Sequence, residues 1–485
     1  MSTALIALAS DDASSAWEHH VLAEVADILD SKRIPVNGKA REDRSGSIPY
    51  YGATGRVGWI DEWIFDEELI LLGEDGAPFL EPAKQKAYSI RGKSWVNNHA
   101  HVLRARAVPS AWLMHFLNTV DYRGLVTGTT RLKLTQAEMR KIVVPVASAA
   151  VMKAVVAEIE KQFSRLDQAV AGLQRVKAQL KRYKASVLKA AVEGRLVETE
   201  AERARREGRG FGTGTELAAQ GSANAARGSR PGAALPYETG EQLLKRILET
   251  RRSQWKGKGK YKEPAAPETA GLPELPEGWC WSSTDQLAEV GTGATPNRSN
   301  ATFFDGGDIP WVTSAVVNAP FVDKASELVT RAALLQTNLT EYPPGTLLVA
   351  MYGEGKTRGK CSELRITAAT NQALAAVQAD PSVRSYLKIF LEHNYEETRK
   401  VASGGVQPNL NLSLVRAIRV PLPPLREQHR IVAEVDRRLS IVREVEAEVD
   451  ANLKRAQTLR QAVLARAFGN PHQDLSSASE LPTPP

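Results

Sequence analysis

Ile142-Val143-Val144-Pro145-Val146 and Ile418-Arg419-Val420-Pro421-Leu422 open the two stretches that organise this chain, 276 residues apart. Each is a strand-like apolar tetrapeptide with a Pro stop, followed by one long helical run. The first stretch reaches Leu196 and the second Asn470. They align without a gap, with 11 of 53 positions identical, so the shared pattern outweighs the shared identities. A repeat of this period is too long for a solenoid and describes two halves of one tandem-duplicated design.

In the first run Leu166, Leu173, Leu180 and Val187 recur at heptad spacing, with Ala169, Val176, Tyr183 and Ala190 following three positions on. In the second run the heptad positions are Val442, Val449, Ala456 and Val463, with Val445, Asn452 and Leu459 three on. An apolar seam with a 3.5-residue period sustained over about four heptads predicts a coiled coil. Asn452 falls on that predicted seam, where a polar side chain fixes register at some cost in stability. A helix of about 44 residues spans roughly 66 Å. Its stripe cannot be buried inside one small domain, so the two runs are expected to pack on each other. The first run also carries Arg175, Lys177, Lys181, Arg182, Lys184 and Lys189 with no acid between 175 and 189. Such a face is either solvated near a helix C-terminus or runs close to phosphates.

The length, 485 residues, predicts two to four domains. Apolar content of 42% and charge of 25% are ordinary for a soluble globular protein. A net charge of +7 permits a nucleic-acid partner without requiring one. Cys280 and Cys361 are the only cysteines, which gives neither a disulfide framework nor a zinc site and is expected of reduced thiols in the cytoplasm. Ala4 to Ala9 is apolar but lacks a basic flank and is followed by Asp11-Asp12, a poor signal peptide. No apolar run is long enough to span a membrane, so no membrane association is expected.

Residues 1–16 read as a loose lead-in. Val21 to Leu29 has a short helix-like pattern, Leu69 to Gly73 reads as a buried strand, Val96 to Leu103 alternates toward another strand, and Trp112 to Leu117 reads as a helix. Together residues 17–141 form a mixed α/β unit, and residues 142–197 the first long helix. Residues 198–274 are rich in Ala, Gly, Glu, Arg and Pro and read as a flexible basic linker, with a helix expected from Glu241 to Trp255. Trp279 opens a second unit, 275–417, that parallels the first. Ile309-Pro310-Trp311 echoes Ile48-Pro49-Tyr50, and Thr370-Asn371-Gln372 echoes Asn97-Asn98-His99. Val406 to Leu410 echoes Thr130 to Leu134. The second long helix occupies 418–470, and 471–485 read as a disordered tail.

These parts, in this order, resemble the specificity subunit of type I restriction–modification enzymes. The clearest local match is Pro423-Pro424-Leu425-Arg426-Glu427-Gln428-His429-Arg430-Ile431. Leu275-Pro276-Glu277-Gly278-Trp279, Ile309-Pro310-Trp311, Thr370-Asn371-Gln372 and Glu193-Gly194-Arg195-Leu196 also look like that family. The likeness covers Trp17 to Asn470. The first copy departs at one corner, with Ala147-Ser148-Ala149 for Pro423-Pro424-Leu425 and Val151-Met152 for Glu427-Gln428. The resemblance implies an α+β chain of two mixed α/β target-recognition domains, joined by two long antiparallel helices forming a coiled-coil spacer. It implies a non-catalytic DNA-recognition subunit whose domains each read half of a split double-stranded target. It further implies two modification (methyltransferase) subunits and two restriction (translocase/nuclease) subunits around it, with S-adenosylmethionine, ATP and Mg on those partners and no cofactor on this chain.

Base edges are read by Arg, Lys, Asn, Gln and small hydroxyls, with phosphate contacts for registration. In the first unit Tyr50, Tyr51, Arg56, Lys93, Asn97, Asn98, Arg131 and Lys133 are the candidates. In the second they are Asn297, Arg298, Ser299, Thr313, Ser314, Lys356, Thr357, Arg358 and Lys360. Two other classes of function compete. One is a coiled-coil interaction scaffold without base-specific readout. The other is a nucleotide-binding enzyme using Gly355-Lys356-Thr357, disfavoured because Arg358-Gly359-Lys360 is a poor helix start. His99 and His101 alternate on one strand face with no evident third ligand, so no metal site is expected. Glu354 and Lys356 lack a paired acidic metal site, and no Asn-Pro-Pro-Tyr or Asp-Pro-Pro-Tyr motif for base methylation is present.

Overall fold

The computed structural model describes residues 17–210, 237–257, 259–352, 357–395 and 410–469. In chain order the first half holds β1 (Glu18–Val21), α1 (Leu22–Val25), β2 (Ala26–Ile28), α2 (Gly38–Glu42), β3 (Ile48–Gly52), β4 (Gly55–Ile60) and β5 (Phe65–Asp66). There follow β6 (Leu69–Gly73), β7 (Ala87–Ile90), β8 (Lys93–Val96), β9 (Ala100–Ala105), α3 (Ser110–Leu117), β10 (Val126–Thr127) and β11 (Lys133–Leu134). Then come α4 (Gln136–Arg140), β12 (Val143–Val146) and the 44-residue α5 (Ala149–Val192). The stretch between the repeats contributes α6 (Glu200–Gly210) and α7 (Gly240–Ser253).

The second half repeats the series with β13 (Cys280–Ser283), α8 (Thr284–Leu287), β14 (Ala288–Thr292), β15 (Ile309–Val312), β16 (Phe321–Val322), β17 (Glu327–Val329) and α9 (Arg331–Gln336). It continues with β18 (Glu341–Tyr342), β19 (Leu347–Ala350), β20 (Cys361–Leu364), β21 (Ala368–Thr370), β22 (Leu374–Ala379) and α10 (Arg384–His393). It closes with α11 (Leu412–Arg416), β23 (Arg419–Leu422) and α12 (Leu425–Ala467).

The duplication extends to the registers. The chain divides into two compact units, one of residues 1–177 with 446–485 and one of residues 178–445. In the first, one sheet runs β2-β9-β6-β7 and another β4-β3-β8-β5. In the second the same orders recur as β14-β22-β19-β20, extended by β16, and β17-β15-β21-β18. β3 and β8 pair in parallel, as do β15 and β21. The tetrapeptide at the head of each repeat is no isolated strand. β12 pairs antiparallel with β1, and β23 with β13. Pro145 and Pro421 lie inside these strands rather than stopping them. In a two-stranded sheet the proline can take an edge position that needs no N–H.

Some short elements differ from the expectation. Val21 to Leu29 is strand, one helical turn and strand, not a helix. Val96 to Leu103 is broken between β8 and β9 by a turn. The Asn97 side chain accepts from His99 N at 2.8 Å while its own N–H donates to Tyr51 O at 3.0 Å. Asn371 repeats the device with Ala373 N at 3.2 Å and Val312 O at 3.0 Å. Asn97 and Asn371 are therefore matching turn-formers in the two units.

Each unit closes its core with a long-helix end supplied by the other repeat. In the first, Trp112 donates its ring N–H to Pro145 O at 2.9 Å and stacks edge-on with Trp17 at 5.4 Å. Phe468, at the end of α12, packs on Trp112 at 4.7 Å and Phe116 at 5.6 Å. In the second, Tyr386 takes the place of Trp112. Its hydroxyl donates to Pro421 O at 2.8 Å, and Trp279 meets it edge-on at 6.4 Å. Val187, Leu188, Ala191 and Val192, at the end of α5, lie in that core with Ile431, Val435 and Leu439. α5 stops because Gly194 turns left-handed (φ 69°), where an added Cβ would come 2.5 Å from Pro276.

Within each unit the two long helices run antiparallel. In the first, Asp167 meets Arg460 at 2.5 Å, Arg460 lies 4.3 Å over the Phe163 ring, and Lys177 meets Asp450 at 2.6 Å. Leu166, Leu173 and Leu180 are half-buried, Val187, Val442 and Val449 are buried, and Val463 packs against the core. The second line of the seam is covered only in part, with Val176, Ala190 and Asn452 half-buried. Ala169, Tyr183, Val445 and Leu459 are exposed, the last two at 38%. Four positions on rather than three, Val170, Glu446, Leu453 and Arg460 are half-buried as well, whereas Lys177 and Lys184 are exposed. A heptad seam alternates steps of three and four, and here the covered residue is four on after Leu166 but three on after Leu173. Asn452 bonds along its own helix to Glu448 at 2.9 Å and receives Arg455 at 3.1 Å, so its polar atoms stay on that surface.

Residues 198–274 are not all linker. α7 is capped by a reciprocal Thr239–Gln242 box and sends Leu243 and Ile247, at 0% and 1% exposure, into the core of the second unit. The lead-in 1–16 and the tail 471–485 lie outside the described residues. Phe468→Ala is expected to lower stability by about 3–5 kcal/mol through a core cavity, and Leu459→Ala by no more than about 0.5 kcal/mol. Denaturant unfolding of both variants measures this, and equal losses would contradict the seam assigned here.

Candidate nucleic-acid interface

The candidates of the first unit fall into three groups. Tyr50 is buried, with its hydroxyl donating to Val36 O at 3.2 Å and Arg41 over its ring at 5.1 Å. Tyr51 packs beside Tyr88 at 6.1 Å, and Asn97 holds the turn described above. These three are placed as framework. Arg131 and Lys133 are exposed but already paired. Arg131 reaches Asp75 at 2.7 Å and His99 at 3.2 Å, and Lys133 reaches Glu74 at 3.1 Å. Arg131 also lines a cavity of about 670 Å³ with Thr54, Phe79, Lys84 and Thr130. Arg56, Lys93 and Asn98 form the third group, exposed and free of ion pairs among the described residues. Arg56 lies 4.3 Å over Trp59 and Lys93 3.6 Å over Trp63.

A buried polar network orders the segment that carries Arg131 and Lys133. Asp30 accepts from Val102 N at 2.8 Å and Gln136 Nε2 at 3.0 Å, and sits 2.6 Å from His101 Nδ1. His101 Nε2 faces Leu134 O at 2.9 Å, and Glu74 pairs with Arg33 at 2.7 Å. Burial opposes ionisation of Asp30, but the bond and charge of His101 prevail and hold its carboxyl below the usual range. Asp30 and Glu74 are thus the acids the sequence did not place beside His101. Arg33, Lys133 and Gln136 occupy their oxygens, which makes the group a charge-balanced brace rather than an open ligand set.

In the second unit Asn297 accepts from Ser299 N at 3.1 Å and Ser299 Oγ at 2.8 Å, a local turn. Arg298 grips Glu327 through both amino groups at 2.8 and 3.2 Å and lies 5.2 Å from the Trp311 ring. Thr313 and Ser314 are half-buried at the start of a short turn of helix. Lys360 donates to Asn318 Oδ1 at 2.8 Å. Thr357 and Arg358 are half-buried. Lys356 and Gly355 lie outside the described residues. Sequence reasoning missed Trp59 and Trp63. Their one signal was two tryptophans four apart, flanking Ile60-Asp61-Glu62 between two strands.

The corner where α12 begins is a second polar site. Glu427 is fully buried, accepting Trp279 Nε1 at 3.0 Å and the N–H of Glu200, at the start of α6, at 3.0 Å. Burial pushes its carboxyl up to about 7, against the pull of those two bonds and of Arg430. Arg430 pairs with Glu200 and donates to Glu198 O at 3.0 Å. The first repeat has Val151 at the place of Glu427 and Trp17 at the place of Trp279, and makes no such clamp among its described residues.

A family described as the type I restriction modification DNA specificity domain matches this chain twice, over residues 14–182 and 276–451. The EcoDI type I restriction enzyme specificity subunit of Escherichia coli is 22% identical, covering 88% of this chain and 83% of its own length. A Haemophilus influenzae protein bearing the name type I restriction enzyme specificity subunit S.HindORF215P is 34% identical over 139 residues. That match takes in 28% of this chain and 34% of the relative's length. A solved chain, described under complex assembly and conformational transition of the type I R-M system, shares the fold at TM-score 0.56 and 15% identity. It covers 93% of this chain and 97% of that one.

The Glu427 corner has a pH signature. Its folded pKa lies above the ordinary carboxyl value of 4.5, so the folded chain keeps a proton that the unfolded chain has lost. Stability is full below about 4.5, declines as pH rises to about 7 and is flat above. Unfolding followed across this window should show that decline in the natural chain and a flatter profile in Glu427→Gln. Identical profiles would contradict the assignment.

Proposed function

The chain belongs to the type I restriction–modification DNA specificity family, and from that membership we propose that its two units each bind one half of a bipartite double-stranded DNA target. The observation that carries this reading is the recurrence of one topology, register for register, in both units. Two similar readers meet two half-sites, and the halves differ because the exposed side chains differ. The chain is the DNA-recognition component and carries no catalysis itself. Two modification and two restriction subunits assemble around the paired helices, and S-adenosylmethionine, ATP and Mg act on those partners. The work is done in the cytoplasm; among the described residues no helix is long and apolar enough to cross a membrane.

DNA contacts come from the exposed Arg56, Lys93 and Asn98 in the first unit and from the half-buried Thr313, Ser314, Arg358 and Lys360 in the second. The continuous helices α5 and α12 set the gap between half-sites, since readers must meet grooves in phase with a repeat of about 10 bp. Base-modification sequencing of a host carrying the whole system should give a split motif of two constant halves around an unread gap. An unsplit motif, or none, would overturn the reading. Inserting four residues into both helices at facing positions should change the gap and leave both halves unchanged, and methylation mapping that returns the old gap would refute the spacer role.

A further inference from the structure

The strands of the two units repeat, but one segment hung between them does not. In the first unit Gly73 N–H donates to Lys86 O at 3.0 Å, the rung that follows the β6–β7 ladder. In the second Ala350 N–H donates to Lys360 O at 3.1 Å, the matching rung after β19–β20. Residues 74–86 bridge the first pair of strands and residues 351–360 the second, with different lengths and different side chains. The first of these segments is fixed at two points. Phe79 is buried with its ring 5.1 Å from Tyr122. Lys86 is buried, its ammonium donating to Glu81 O at 2.8 Å and Pro82 O at 3.1 Å, and its N–H donates to the Asn118 side chain at 2.7 Å. Between these anchors Leu80 to Gln85 are all exposed. They line the cavity of about 670 Å³. Gly76 N–H donates to Leu132 O at 3.1 Å, which brings Thr130 and Arg131 to the same cavity, and Thr54 from the β3–β4 turn lines it too.

We infer that this cavity takes base edges of one half of the duplex target, with Gln85, Thr54 and Thr130 as residues that determine its sequence. The inference rests on the DNA-recognition reading and names side chains that discriminate in the first unit. Both cations of the cavity have an acid beside them. Lys84 meets Glu81 at 2.7 Å and Arg131 meets Asp75 at 2.7 Å. Such a lining exerts little pull on phosphates; what it presents is directed hydrogen bonding. Gln85 donates one amide N–H to Ala87 O at 2.9 Å, which holds the amide in place. Its carbonyl oxygen and second N–H are left over, as are the Thr54 and Thr130 hydroxyls, which have no partner among the described residues. An amide with one donor and one acceptor matches the N7 and N6 amino group of adenine, and a hydroxyl matches either kind of edge. Leu80, 52% exposed, adds an apolar contact of the kind that fits the methyl of thymine. Base contacts specify where phosphate contacts only position, and a charge-balanced lining on an anchored segment is built for the former. Two units with one frame read different halves through side chains that the frame does not fix, and the β6–β7 segment carries such side chains.

The test begins with base-modification sequencing of hosts carrying the whole system with the natural chain, with Gln85→Ala, or with Thr54→Val and Thr130→Val together. Each variant should relax or change positions in one half of the motif and leave the other half and the gap as they were. The full chain is then titrated with a duplex bearing the natural target and with one whose affected half is scrambled. Gln85→Ala should weaken binding to the first by about 5- to 150-fold, leave binding to the second unchanged, and keep the log–log salt slope of the natural chain. On the natural chain, acylation of Lys84 followed by mass spectrometry should fall when the target duplex saturates it, a readout that needs no variant to fold. An unchanged motif, equal losses on both duplexes, or a Lys84 equally reactive with the target bound would overturn the inference while leaving DNA recognition standing. A natural chain that yields no split motif would overturn both.

Discussion

Each core of this protein is finished by a helix end that the other repeat supplies. The first unit has Trp112 and Phe116 but needs Phe468, Leu464 and Ala467 from the end of α12 to bury them. The second has Tyr386, Ile431 and Val435 and takes Val187, Leu188, Ala191 and Val192 from the end of α5. Burying a large apolar side chain contributes about 1.5–3 kcal/mol, so several such residues amount to much of a domain's net stability. The antiparallel direction of the helices follows, because each must begin beside its own β-strand and end in the opposite core. A duplicated chain can meet that condition with few shared identities, since it asks only for apolar residues at matching positions.

Conserving the geometry has not meant conserving the residues that make it. Trp112 and Tyr386 differ, yet each donates to the carbonyl of the proline in the strand that launches its helix. The same position demands a large ring with one donor at its edge, and two residue types satisfy it. The corner before the helices shows the opposite case. Glu427 clamps Trp279 and the start of α6, whereas Val151 cannot. The region between the repeats is thus tied to the second unit by a buried carboxylate and by α7, a tie for which the first repeat has no chemical equivalent among its described residues.

Much of this was legible in the sequence. The two long helices and the strand-like segments at their heads were marked by apolar periodicity, and the Ile-Pro-aromatic echo marked the duplication, but the pairing of the head strands was not read and the Asn97 turn was read as part of a strand. The seam's second line was legible only in part: Val176 and Ala190 are half-buried as expected, but Ala169, Tyr183, Val445 and Leu459 are exposed, because only the partner helix decides which stripe is covered. α7 was correctly expected as a helix. Its place in a core was hidden by the polar composition around Leu243 and Ile247. The candidate surface was less legible still. Arg131 and Asp75 are 56 residues apart, and Arg298 and Glu327 29 apart. No local pattern shows which cations are already neutralised and which, like Arg56 and Lys93, are left facing solvent on a ring.

If exchanged helix ends hold the chain together, its continuity between the repeats is dispensable once it has folded. A protease site placed between residues 211 and 236, cleaved after folding and followed by size-exclusion chromatography under native conditions, tests this most directly. The account predicts that both fragments elute together in equal amounts, with the unfolding midpoint at fixed, high concentration close to that of the intact chain. Separation of the fragments into independent species would contradict it.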